Sequence, residues 1–79
     1  MQTYLNLSGQ SNISKYEHGG DYIVVEFKTP AKDGSKTYKY SYNSAGQGNV
    51  EHMKHLAETG SGLNSFIRTN VPDDYEMKW

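Results

Sequence analysis

Apolar and polar positions alternate most regularly in Tyr22-Ile23-Val24-Val25-Glu26-Phe27-Lys28, where Ile23, Val25 and Phe27 share one face and Val24, Glu26 and Lys28 the other. Period two with β-branched and aromatic residues predicts a half-covered strand. A second alternating run, Lys36-Thr37-Tyr38-Lys39-Tyr40-Ser41-Tyr42, sets Tyr38, Tyr40 and Tyr42 in a row on one face, with Lys36 beside them and Lys39 pointing away. Pro30 to Ser35, with Asp33-Gly34 inside, has turn chemistry, so the two runs predict an antiparallel hairpin. From Asn49 the period lengthens. Val50, Met53, Leu56 and Ala57 recur at three- and four-residue steps, which predicts a helix capped by Asn49 and closed at Gly60, with Glu51, His55 and Glu58 on its wet face. Leu63, Phe66 and Ile67 predict a second, shorter helix from about 62 to 69, capped by Ser61 and ended by Pro72. Leu5 and Leu7 alternate with Tyr4 and Asn6 as a short first strand. Ser8–Asn12 and His18–Asp21 read as turns, and Asp74–Trp79 alternates as a possible last strand.

The order β-β-β-α-α-(β) points to an α+β fold, with an antiparallel sheet of three to four strands packed by two short helices. Ile23, Val25 and Phe27 are expected to meet Val50, Met53, Leu56, Phe66 and Ile67 in the core.

The same residues, taken in order, resemble a known family. They are Ser11-Asn12-Ile13, Tyr16, Val24-Val25-Glu26-Phe27, Tyr38-Lys39-Tyr40, Leu56-Ala57 and the run Gly60-Ser61-Gly62-Leu63-Asn64-Ser65-Phe66-Ile67-Arg68. The chain is similar over about residues 11–75 to the KTSC domain, named for the C-terminus of some lysyl-tRNA synthetases and also found as free-standing bacterial or phage proteins. Three features depart from the family pattern. The hairpin loop is longer, Leu63-Asn64-Ser65-Phe66 stands where an aromatic-Asn pair is common, and the tract from Tyr42 to Val50 is polar and Gly-rich where the family tends to Val-Pro. The resemblance implies the fold and, more weakly, RNA binding.

Length and composition narrow the function. Seventy-nine residues make a single domain, 1–79, with 34% apolar residues and seven tyrosines, so the core is small and leans on aromatics. The absence of Cys excludes disulfides, thiolate catalysis and Cys-based zinc sites, and is compatible with a reducing, cytoplasmic location. No run of 18 apolar residues exists to span a membrane, and Met1–Asn6 has neither a basic region nor an apolar segment of a leader. The overall charge is only −1, but Lys28, Lys32, Lys36 and Lys39 against Asp33 give +3 between residues 28 and 39, leaving −4 on the rest. Four lysines would neutralise about three phosphates. The alternative is an edge hairpin kept from self-pairing by lysine.

No nucleophile elbow, P-loop or His-Glu-x-x-His motif is present, so a non-enzymatic binding module without cofactor is expected. His52 and His55 lie three apart beside Glu51 and Glu58, but without a third ligand they read as a solvated face and no metal is expected. Gly60-Ser61-Gly62 has the form of an anion-holding loop or a tight joint between helices. Arg68 is expected to pair with Asp73, Asp74 or a carbonyl, or to join the binding surface. The candidate binding residues are Lys28, Lys32, Lys36, Tyr38, Lys39, Tyr40, Tyr42 and Arg68. RNA or another single-stranded nucleic acid is the first expected partner, through tyrosine stacking and lysine–phosphate contact. A protein partner, met as a small phage-type inhibitor or adaptor meets a host complex, is the alternative.

Overall fold

A computed structural model describes residues 1–79. The chain opens with an antiparallel meander of β1 (Gln2–Thr3), β2 (Ile13–His18), β3 (Tyr22–Phe27) and β4 (Thr37–Ser41). Three helices follow: α1 (Tyr42–Ala45), α2 (Gln47–Thr59) and α3 (Leu63–Asn70). The chain then returns as β5 (Met77–Lys78) to pair antiparallel with β4, so the sheet order is β1-β2-β3-β4-β5. The α+β architecture is the one expected, with five strands in place of three or four and one extra helical turn.

The β3–β4 hairpin sets the register of the core. Ile23 lies opposite Tyr40 and Val25 opposite Tyr38, which puts the apolar residues of β3 on one face with both tyrosines. Ile23, Val25 and Tyr40 are at most 1% exposed and pack with Val50 and Met53 of α2 and Leu63 of α3. Val24 is also buried but stands outside that cluster, between Glu17 and Lys39 on the opposite face. The helices therefore cover one face of the sheet. No helix is long and apolar enough to cross a membrane.

Several expectations need correction. β2 is a full strand where only a turn was expected after Ile13 and Tyr16. Its pairing slips between Ile13 and Lys15, so Ile13 and Tyr16 are both buried although three residues apart. That irregularity breaks the period-two signature. Leu5 and Leu7 form no strand and are 64% and 69% exposed. The chain turns away at Asn6, which takes a positive φ of 55° while its Oδ1 accepts from the Ser11 N–H.

Tyr42 leaves the sheet altogether. Ser41 and Ser44 cap each other reciprocally, each hydroxyl accepting from the other's N–H at 3.2 and 3.0 Å, and this starts α1 at Tyr42. The cap of α2 is Gly46 rather than Asn49, and that of α3 is Gly62 rather than Ser61. The Leu63 N–H donates instead to the hydroxyl of buried Tyr4. Gly60 closes α2 as expected, at φ 81°, and a Cβ there would lie 2.5 Å from that of Leu5. Phe27, Leu56 and Phe66 are half-buried at the edge of the core rather than inside it.

Candidate functional site

A cleft of about 550 Å³ opens where the β3–β4 loop meets α3. Its floor is aromatic. Phe27 and Tyr38 meet edge to face at 5.3 Å, and Tyr40 lies beside them. Tyr75, from the segment before β5, braces Tyr38 and Tyr40 edge-on at 5.1 and 6.5 Å. Burial, helped by Tyr38, Tyr75, Asp73 and Asp74, pushes the Tyr40 phenol well above its ordinary pKa. The polar wall consists of Asn12, ahead of β2, with Asn64 and Arg68 on α3. Leu63 and Ile67 anchor α3 in the core, and this leaves Asn64 and Arg68, one turn apart, to face the cleft together. Thr29 and Ala31 of the hairpin loop close the remaining side. The volume falls within the range of small-ligand sites.

The charges at this end are largely unpaired. Lys28, Lys32, Lys36 and Arg68 enter none of the molecule's ion pairs or side-chain hydrogen bonds. Asp33, the one acid of the loop, is held by Lys78 at 2.9 Å. That bond, with hydrogen bonds from Ser35, lowers its pKa to about 2 and raises that of Lys78. Thus the loop's only negative charge is already matched, and Lys28, Lys32 and Lys36 stand exposed on either side of Thr29 and Ala31. Arg68 forms no ion pair with Asp73 or Asp74 and rests in the last turn of α3, where a cation also suits the helix dipole.

The row of three tyrosines is not formed. Tyr40 is 1% exposed and Tyr38 is half-buried within the cleft. Tyr42, on α1, donates to Glu51 Oε2 at 2.6 Å, and this bond is the chief cause of its raised pKa. Glu51 also accepts from Lys54 at 2.7 Å, and Lys54 reaches the Gly20 carbonyl at 2.9 Å. Lys39 points to the opposite face, as alternation requires, lying 4.9 Å above the Tyr22 ring and 3.8 Å from Glu76. Of the expected binding residues, Tyr38, Tyr40 and Arg68 line the cleft, Lys28, Lys32 and Lys36 are exposed outside its lining, and Lys39 and Tyr42 are engaged elsewhere.

His52 stacks on Phe66 at 4.7 Å, and no three His, Asp or Glu side chains gather as a metal site. Gly60-Ser61-Gly62 serves as the joint between α2 and α3. Sequence reasoning did not place Asn12, Phe27 or Asn64 in the site. Asn64, a poor helix former inside an apolar-periodic helix, carried a weak signal; the other two are brought in only by the fold. Set against family models, curated proteins and solved structures, the chain matches none of them, so the likeness to the KTSC domain rests on its ordered motifs alone.

Proposed function

We propose that this protein is a small, non-catalytic module that binds single-stranded nucleic acid, RNA first, along the hairpin loop and into the cleft. One observation carries the reading: Arg68, which enters no ion pair, lines the cleft floored by Phe27 and Tyr38, and the exposed, unpaired Lys28 and Lys32 adjoin its lining residues Thr29 and Ala31 in the chain, with Lys36 paired through its backbone to Phe27. A strand laid along the loop would place phosphates on the lysines while one unstacked base enters against the rings. The tyrosine row is replaced by a slot for a single base. The likeness to the KTSC domain supports the same reading, and a cytoplasmic site of action suits a cysteine-free chain.

A protein partner is the second reading, favoured by one feature. Met77 pairs across from Lys39, and so belongs to the face away from the helices; Trp79 follows two residues on. They are 50% and 55% exposed.

The two readings separate in an NMR titration of labelled protein with a mixed-sequence single-stranded RNA. Amide shifts at Thr29, Ala31, Asn64 and Arg68 are expected. Absence of shifts at low salt, or shifts confined to residues around Met77 and Trp79, would overturn the nucleic-acid reading.

A further inference from the structure

The cleft's free hydrogen-bonding groups are unevenly divided, and this bears on which base it accepts. The Asn12 Oδ1 already accepts from the Thr29 N–H at 3.2 Å. That bond fixes the orientation of the amide and leaves its NH2 group free to donate, with one lone pair remaining on Oδ1. The Arg68 guanidinium is unpaired and donates only. Asn64, whose amide makes no side-chain hydrogen bond, brings one acceptor and two donors. The Thr29 and Ala31 N–H groups are spent on Asn12 and on the Ser35 carbonyl, while the hydroxyls of Thr29, Tyr38 and Tyr40 can each donate or accept. Arg68, the one cation in the lining, donates only, and so favours a planar ligand edge with two adjacent acceptors.

We propose that the cleft is a guanine-selective base site, read by Arg68 with Asn12 and Asn64. This rests on the nucleic-acid reading above and deepens it. Guanine presents O6 and N7 as adjacent acceptors, which match the fork of an arginine. Adenine replaces O6 with an amino donor and sets donor against donor. The amides of Asn12 and Asn64 then hold the base across the cleft, with Phe27 and Tyr38 beneath it. The lysines of the hairpin loop contact phosphate and carry no preference.

The test is fluorescence anisotropy with a labelled single-stranded RNA of alternating C and A bearing one central guanine. Matched probes carry adenine, inosine or 7-deazaguanine at that position. The guanine and inosine probes should bind roughly tenfold or more tighter than the adenine and 7-deazaguanine probes. Arg68→Lys keeps the charge and removes the fork, so it should erase the preference, weakening the guanine and inosine probes more than the adenine probe. Asn12→Asp keeps the acceptor for Thr29 and removes the free donors, so it should reduce the preference as well. Equal binding of all four probes overturns guanine selectivity and leaves the nucleic-acid reading standing. Preference that survives in Arg68→Lys overturns the role given to Arg68. Failure of every probe to bind overturns the nucleic-acid reading itself, and the inference with it.

Discussion

The two ends of the β3–β4 hairpin use the same side chains to opposite effect. Near the β2–β3 turn, Tyr42, Glu51 and Lys54 satisfy one another, and Lys54 also reaches the Gly20 carbonyl. His18 lies 3.8 Å from Glu58 there. At the loop end, Lys28, Lys32, Lys36 and Arg68 face solvent without acids, and the only acid in the loop is bound by Lys78. The first end is closed by its own contacts, and lysine and tyrosine act there as clamps. The second keeps its cations and aromatic edges free for something else. Whether a lysine or tyrosine is structural or available follows from what lies opposite it in the fold.

Core substitutions should have the largest effects and should differ between the buried centre and the cleft rim. Ile23→Ala, at a site with no exposure, should cost about 2–5 kcal/mol, a large share of the stability of so small a domain. Phe27→Ala, at the half-buried rim, should cost less. Urea denaturation of both variants checks the order; a larger loss at Phe27 would contradict the burial described. Next comes Gly60→Ala. Its φ of 81° should cost about 1–2 kcal/mol in conformation alone, before contact with Leu5 is counted. A melting temperature unchanged from the wild type would contradict the joint.

The hairpin, the covered face of its sheet and the stripe of α2 were legible because periods two and 3.6 run unbroken through Tyr22–Phe27 and Val50–Ala57. β2 was not, because its irregular pairing puts Ile13 and Tyr16 on one face out of period. Tyr42 was misplaced because alternation continues through it in sequence, while the Ser41–Ser44 cap, a local hydrogen-bonding choice, diverts the backbone into α1. The lysines and Arg68 were legible as charges. That Arg68 meets Asn12 across a cleft depends on the docking of α3 against the hairpin, which no local pattern encodes.

Smaller effects should separate the paired end from the free one. Tyr42→Phe removes the hydrogen bond to Glu51 and should lower the thermal midpoint slightly. Replacing Lys28, Lys32 and Lys36 together by Gln should leave the midpoint unchanged or raise it, because these lysines repel one another and pair with nothing. A clear loss of stability in the triple variant would show that the loop end is held by contacts after all.

The smallest effect is in acid. The Asp33 pKa is depressed to about 2, so its contribution to stability is complete above the ordinary carboxylate range and is lost only as pH falls through about 2. An NMR titration of its carboxyl should show this, and Lys78→Ala should return the pKa toward the ordinary aspartate value. An ordinary value in the wild-type protein would mean that the loop is not tied to β5.

The salt dependence of RNA binding by the wild type and by the triple lysine variant measures what the free end is for. Each phosphate contact on a single strand contributes a slope of about −0.7 in log Kobs against log salt. The wild type should bind single-stranded RNA with a slope of about −2, and the triple variant with a slope close to zero and an unchanged fold. Equal slopes for the two proteins, or no binding by the wild type at low salt, would contradict the assignment of the loop lysines and the cleft to nucleic acid.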